Sequence, residues 1–397
     1  MSTIKIELGT QLPADLKKDF IHKMYYSDSS VGTCAFDEKG TSLLLDLKEG
    51  TTCIPDVLEK KARELAASLS SSYIPIKKIV YFDQSDITPR YCEDIEQVLL
   101  DQGHIHQLGQ GQYALGPNVT NLIRALDSLF IEFGRSQGAR EYAVPTLIPV
   151  ETLAACDYFT SFPHTVTFAF HLPEDLKRIE DFMASAREQR SKGGIKQIEI
   201  EEVKTDVVLS PAVCYHIYHM QEDLSFDKGE QGRTFLCKGK CFRYESGTLN
   251  GLERMWDFTM REVVFVGSND YVQSGRERSL DWVIDLLKQL GLKCRVETAS
   301  DPFFAGDAVK KKAFQQTLQL KYEILVDLPW KDTLLAVGSM NIHQNFFGKT
   351  FNISLENGTH VETGCTAFGL ERFALAVMAQ YGPEPEHWPE ILTSRMT

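Results

Sequence analysis

The sequence predicts an α+β fold: an antiparallel sheet that carries helices, preceded by a small mixed α/β unit. Beyond residue 198 the chain offers seven strand-like stretches, residues 199–210, 233–245, 260–268, 292–300, 321–328, 334–344 and 350–357, with one clear helical run among them, residues 273–291. Strands that follow one another with few intervening helices pair antiparallel, whereas a doubly wound sheet alternates strand and helix. A change of texture near residue 105 then divides the chain into a unit at 1–105 and a larger one at 106–397.

In the first unit, "TSLLLDLKEG" and "IKKIVYF" read as strands, and "IPDVLEKKARELAASLSSS" has helical spacing with Pro55 near its start. Between Met1 and Asp101 twelve Lys/Arg stand against seventeen Asp/Glu, a poor surface for gripping a polynucleotide. The second unit opens on a long helix, residues 118–136, followed by "EYAVPTLIP", a strand ending in a proline-bounded turn. A charged helical run, "PEDLKRIEDFMASAREQRSKGG", precedes the strand series. There is no internal repeat and no low-complexity tract.

The chain has 397 residues, a formal net charge of −13 and 43% hydrophobic residues, the profile of a soluble globular protein large enough for two domains. Its first residues lack the apolar core of a signal peptide, and no apolar run approaches the roughly 20 residues needed to span a bilayer. The expected location is the cytoplasm, with no membrane association. Nine cysteines, an odd number scattered through a long chain, fit reduced thiols or metal ligands better than a disulfide framework.

Two dense stretches carry chemistry. In "CFRYESGTLNGLERMWDF", Cys241 to Phe258, Arg243 and Glu245 stand two apart on a strand and share a face; after a Gly-rich loop, Arg254 and Phe258 follow four apart. Guanidinium forks for phosphates, an acid for an exocyclic amine and a ring for a base suit a nucleoside triphosphate. The same spacing also fits a surface hairpin with cross-strand ion pairs. The second stretch is "TGCTAFGLER", Thr363 to Arg372, where a cysteine stands upstream of a glycine turn that opens a buried helix.

These segments resemble the signature motifs of class II aminoacyl-tRNA synthetases, in the family's order. "CFRYESGTLNGLERMWDF" looks like the second motif, "FGLERFALA" like the third and "EYAVPTLIP" like the degenerate first. Within the class, "PAVCYHIY", "MREVVFVG", "SMNIHQNFFG" and "TGCTAFGLER" look most like the zinc-dependent branch of archaeal-type seryl-tRNA synthetases and amino acid:carrier-protein ligases. The resemblance spans roughly Leu108 to Gly382 and implies a class II synthetase-type antiparallel sheet flanked by helices.

It also implies roles. Arg243 would bind the α-phosphate and Glu245 the adenine amine, Phe258 would stack on the base, and Arg254 and Arg372 would clamp the outer phosphates, with Arg243 and Arg372 the catalytic pair. Glu362 is the candidate holder of Mg²⁺. Cys214, Glu262 and Cys365 match the zinc positions, leaving one tetrahedral place open for an amino acid's α-amine. Cys365 would arrive on a strand whose Gly364 keeps the backbone close, and Gly369 would let the chain turn into the helix that bears Arg372. A rival metal set is Cys237 and Cys241 with His216 and His219. Ser339, Asn341 and His343 alternate on a strand and could line the amino acid pocket; the plainer reading is a polar edge strand.

The implied activity is ATP-dependent formation of an aminoacyl adenylate from a small amino acid, then transfer to the phosphopantetheine thiol of an acyl carrier protein. Charging of tRNA is the alternative, and a non-catalytic paralogue acting as a binding module is a third. The first unit is shorter and more acidic than the tRNA-binding domain of the synthetases, yet the compact ligases largely lack one, so the chain departs from both patterns. Lys177, Arg178, Arg187, Arg190 and Lys192, on the charged helix before its Gly-Gly stop, form a candidate carrier-docking patch or a solvated helix face. A homodimer through the motif-one helix and strand is implied by resemblance alone.

Overall fold

Period-four spacing builds the first helix of the chain: Leu16, Phe20 and Met24 form a buried stripe on α1 (Ala14–Ser27). That stripe faces a three-stranded sheet of β1 (Thr3–Glu7), β3 (Ser42–Leu47) and β2 (Val31–Phe36), in that order. α2 (Pro55–Ser71) adds Leu58, Ala62, Ala66 and Leu69, so this part has a core of its own. The computed structural model describes residues 3–37, 40–51, 54–71, 73, 78–192, 194–195, 204–245, 247–301 and 308–396.

The chain then runs through β4 (Val80–Asp83), α3 (Ile95–Asp101), the hairpin β5 (Ile105–Gly109) and β6 (Gln112–Leu115), and α4 (Pro117–Ser136). Next come β7 (Arg140–Ala143), β8 (Leu147–Pro149), α5 (Val150–Ala155), α6 (Tyr158–Ser161), β9 (Thr167–Phe168), α7 (Leu176–Ser191), β10 (Val207–Leu209) and α8 (Cys214–His219). β11 (Gly232–Phe242), β12 (Asp257–Gly267), α9 (Asn269–Leu290), β13 (Cys294–Thr298), α10 (Ala308–Thr317), β14 (Lys321–Leu328) and β15 (Thr333–Gln344) follow. α11 (Phe346–Thr350), β16 (Glu362–Gly369), α12 (Leu370–Tyr381) and α13 (Glu390–Thr393) complete the described elements.

The large sheet has eight strands in the order β4-β13-β14-β15-β16-β12-β11-β7, antiparallel except where β11 meets β7. The expected α+β architecture, an antiparallel sheet flanked by helices, is what the structure contains. One face packs on α4, α9 and α12 through Leu126, Phe130, Phe133, Leu286, Phe373 and their neighbours. Phe130 of α4 stacks on Phe368 of β16 with ring centroids 4.0 Å apart. The opposite face carries a second cluster that includes Cys214, Cys237, Cys241, Val264 and Cys365.

Local signals set several boundaries. Pro117 opens α4, Asp175 accepts from the Arg178 amide at 2.9 Å to start α7, and Gly291 closes α9 with φ 60°. The stretch 350–357, expected as a strand, is not one: Phe346–Thr350 turns helical and Ser354 makes only isolated bridges to Ser225 and His360. Of the expected strand 199–210, residues 207–209 pair, and 199–203 lie outside the described residues, as do residues 72, 76–77, 193 and 246 of other expected features. Among the described residues no helix is long and apolar enough to cross a membrane.

One buried ion pair bolts α4 to the sheet. Arg261, 3% exposed, donates from Nε and Nη2 to Asp127 Oδ1 and Oδ2 at 2.7 and 3.0 Å, and Asp127 is 7% exposed. Burial disfavours the Asp127 carboxylate, but hydrogen bonds and charge from Arg261, then Lys238, outweigh it and hold the group below its usual range. Asp127→Asn should therefore cost about 3–5 kcal/mol at pH 7, by urea unfolding. A depressed carboxylate contributes stability that is present above its unfolded pKa and lost as pH falls. The difference between the two proteins should accordingly shrink below about pH 4; a gap that stays constant down to pH 3 would show that the pair is not the cause.

Candidate functional site

The site face of the sheet is set by strand alternation. On β16, Thr363, Cys365 and Ala367 face one way, while Phe368 turns to the helices. β15 needs an irregularity to present its polar residues: Leu335 and Val337 pack among the helices, the register then shifts, and Met340 and Ile342 take their place. That shift puts Ser339, Asn341 and His343 on the site face, opposite the β14 residues Glu323 and Lys321.

Cys214, at the start of α8, meets Glu262 of β12 and Cys365 of β16, all buried, with one ligand atom of each within 4.8 Å of the others. Glu262 Oε1 accepts the Val213 amide at 3.0 Å, while its Oε2 is buried with no hydrogen-bond partner. Burial, reinforced by negative charge at Cys365, pushes the Glu262 carboxyl up to about 8 against the pull of that amide. The neighbouring Cys365 thiol, then burial and negative charge at Glu262, hold the Cys214 thiol well up. The Cys214 thiol beside it pulls Cys365 down despite burial, with His343 and Asn341 helping. Asn341 Nδ2 donates to Cys365 Sγ at 3.5 Å and to Ser339 Oγ at 3.0 Å. His343 Nδ1 lies 3.2 Å from Thr363 Oγ1 and 3.3 Å from Tyr218 Oη.

A buried carboxylate oxygen without a donor, beside two thiols, fits a bound cation, and two sulfurs with one oxygen fit zinc. The rival set is not assembled. Among the described residues Cys214, Glu262 and Cys365 form the one group of such donors that comes together, and Cys237 instead donates its thiol to the Glu262 carbonyl at 3.8 Å.

Arginines gather nearby. The Arg243 guanidinium sits over the Phe258 ring at 5.6 Å, its Nε donating to the Pro211 carbonyl at 3.0 Å. Arg254 pairs directly with Glu245. Arg372, in the first turn of α12, donates from Nε to the Glu253 carbonyl at 2.6 Å and from Nη1 to that of Ala336 at 3.4 Å. Burial pulls the Arg372 guanidinium down to about 10; Glu245 opposes this, while Arg254 and Arg243 add to it. Burial works against the Glu245 carboxylate too, yet Arg254, Arg372 and Arg243 together hold it below its usual range. Three guanidiniums thus crowd one carboxylate, a surplus of positive charge suited to a polyphosphate.

Glu362 stands apart from this group. It is three residues from Cys365, so alternation sends it to the opposite face, where Asn269 of α9 donates to it at 2.9 Å. Besides Glu245, a second carboxylate acts on Arg372, that of Glu323 on the site face of β14, which the motifs did not single out. Gly369 starts α12 with φ −82°, backbone any residue adopts, so the expected glycine turn is not required there. The first part of the chain also reaches the site. Tyr26 Oη of α1 donates to the Tyr244 carbonyl at 3.3 Å, His22 packs on His164 with ring centroids 5.2 Å apart, and Asp19 pairs with Lys312 of α10.

No protein-family model matches the chain. It is 31% identical over 306 residues to amino acid–[acyl-carrier-protein] ligase 1 of Bradyrhizobium diazoefficiens, a match that covers 77% of this chain and 90% of that protein. It is 30% identical over 298 residues to the type-2 serine–tRNA ligase of Methanocaldococcus jannaschii, covering 72% of this chain and 56% of that one. The crystal structure of M. kandleri SerRS in complex with A. aeolicus tRNASec matches 99% of this chain and 77% of its own, with TM-score 0.71 at 21% identity. Seryl-tRNA synthetase from Pyrococcus horikoshii complexed with ATP gives TM-score 0.57 at 15% identity, covering 86% of this chain and 79% of that one. The fold is that of class II synthetases. The chain belongs to the class II aminoacyl-tRNA synthetase-like family, in its branch of ATP-dependent ligases that contains amino acid–carrier-protein ligases and type-2 seryl-tRNA ligases.

Zinc-loaded protein should hold about one equivalent, and Cys214→Ser or Cys365→Ser should bring it close to zero by elemental analysis, while Cys237→Ser leaves it unchanged. Ligands must shed their protons to bind metal, and Glu262 is pushed up to about 8. Zinc uptake should therefore release protons and weaken as pH falls from that value; affinity that is flat between pH 6 and pH 8 would contradict this.

Proposed function

We propose that this chain activates a small amino acid with ATP as an aminoacyl adenylate and passes the acyl group to the phosphopantetheine thiol of a carrier protein. One arrangement supports the first half. The charge of Arg243 reaches Glu262 of the Cys214–Glu262–Cys365 group as well as Arg372, and the strand bearing Cys365 runs straight into the helix bearing Arg372.

Zinc held by Cys214, Glu262 and Cys365 would supply an open position suited to an α-amine. Ser339, Asn341 and His343 line the amino acid pocket, and His343 backs onto Phe347 and Tyr218, whose rings stack at 4.3 Å. That aromatic wall suits a short side chain. Arg243 holds the α-phosphate, Glu245 accepts from the adenine amine, Phe258 stacks on the base, and Arg254 and Arg372 take the outer phosphates. Glu323 replaces Glu362 as our candidate for holding Mg²⁺, because it lies on the site face. A carboxylate oxygen of the amino acid attacks the α-phosphorus, the bond to the bridging oxygen breaks, and pyrophosphate leaves with the electron pair. A thiolate then attacks the acyl carbon and AMP leaves with the oxygen. The residues position charges and neutralise the departing phosphates.

For the acceptor, the match covers 90% of the relative named for a carrier protein and 56% of the type-2 serine–tRNA ligase of Methanocaldococcus jannaschii. α7 supports the same reading. It has no buried residue, and its basic side chains cluster at its two ends, Lys177 and Arg178 at one, Arg187, Arg190 and Lys192 at the other. Such patches suit an acidic partner of small footprint. A tRNA acceptor is the second reading, favoured by the superposition of nearly the whole chain, first unit included, on a synthetase solved with tRNA. A homodimer would use α4 and the open edge strand β7.

Amino acid-dependent exchange of labelled pyrophosphate into ATP should appear with one or a few small amino acids. Arg372→Ala should lower it by about 10²–10³-fold. Silence with all amino acids in zinc-loaded protein would remove both enzyme readings. Mass analysis of a phosphopantetheinylated carrier protein, against charging of total tRNA, then decides the acceptor.

A further inference from the structure

The loop between β11 and β12 contributes Arg254, yet its tip leaves the sheet at Phe242 and returns to it at Asp257, so strand pairing does not fix it. It is held from elsewhere. Asn250 and Arg254 close a tight turn, each amide donating to the other's carbonyl at 3.1 and 3.0 Å. The amides inside that turn point at Glu96, in the first turn of α3. Leu252 N–H donates to Glu96 Oε1 at 2.9 Å and Glu253 N–H to the same oxygen at 3.4 Å. Gly251 makes the approach feasible: it has φ +48°, and a Cβ there would stand 1.8 Å from that oxygen.

The turn seated on Glu96 leads to both outer-phosphate arginines. Arg254 is its last residue, and the Glu253 carbonyl receives Arg372 Nε at 2.6 Å. Lys331 ties the arrangement shut, 3.3 Å from Glu96 Oε2 and paired with the Glu253 carboxylate. We propose that Glu96 is a positioning residue for ATP: its carboxylate pins the Gly251–Glu253 turn and thereby fixes where Arg254 and Arg372 meet the phosphates. The position is a costly one for an acid. Glu96 is 7% exposed, and burial, then Glu253, push its carboxyl up to about 7 despite Lys331. Placement of an acid at such cost beside a ligand-binding loop is typical of functional sites.

This inference rests on the ATP reading above, and two readouts separate them. Amide hydrogen exchange at Leu252 and Glu253 in the full chain reports the tether alone, and wild-type pyrophosphate exchange reports the ATP reading. Glu96→Ala should speed exchange at those two amides and raise the KM for ATP about tenfold or more, leaving the KM for the amino acid near its wild-type value. Glu96→Gln keeps an oxygen for the amides and should restore most of the ATP affinity. Glu96→Asp keeps the charge but is one methylene short; it should behave as the alanine variant does, and stands in for it if that variant fails to fold. Faster amide exchange with an unchanged KM for ATP would overturn the positioning role while sparing the ATP reading. Equal rises in both KM values would reduce Glu96 to a structural part. A wild type silent in pyrophosphate exchange would overturn both.

Discussion

The site depends on the register of one strand. β16 is hydrogen-bonded on both sides, to β12 and to β15, so a slip of a single residue would exchange its two faces. Phe368 resists that slip, because its ring is fully buried and stacked on Phe130; burying such a ring is worth about 1.5–3 kcal/mol. Cys365 is three residues away on the other face. The position of a metal donor is therefore set by apolar packing on the far side of the sheet, and the rigidity of the site is inherited from the core.

The same alternation sorts the charges. Arg261 and Glu262 are neighbours on β12, yet one faces the helices and the other the site. Arg261 is met in full by Asp127, an arrangement that locks α4 against the sheet. Glu262 is met only in part, with one oxygen on the Val213 amide and the other unpartnered. A buried acid in that state is unstable unless a proton or a cation completes it. The sheet thus carries a satisfied charge where it needs strength and an unsatisfied one where it needs a ligand.

The sheet and its helices were legible because their signals are local. Alternation, the proline that opens α4 and the glycine that ends α9 act over a few residues; the expected strand 233–245, by contrast, stops at Phe242, before Arg243 and Glu245. Glu362 was misjudged although the information was present: its spacing of three from Cys365 on a strand already separates the two faces. Ser339, Asn341 and His343 are the opposite case. Their spacing puts them on one face, but only the irregularity after Val337 decides which one, and that depends on pairing with β14. The stretch 350–357 has strand-like composition, yet Ser354 makes only isolated bridges to Ser225 and His360, so composition lost to tertiary context. Glu96 was beyond reach, since its partners lie more than 150 residues away in sequence and nothing near it marks a site.

The arginine group is crowded by its own charges. Arg372 is pulled down to about 10 because burial and two other guanidiniums disfavour its charged form. Glu245 is the acid that relieves Arg372 most, ahead of Glu323, and it is committed to Arg254. In the ligand reading, ATP would exchange these partners: its phosphates would take the guanidiniums and its adenine amine would take the carboxylate. Phosphate would replace carboxylate at Arg254, while Glu245 would gain a hydrogen bond from a neutral amine and keep Arg243 and Arg372 nearby to offset its charge. An anion that relieves a depressed arginine binds more tightly by the amount of that relief, since a shift in pKa and a gain in affinity are two readings of one interaction. The crowding of arginines is in this way part of what would hold the nucleotide.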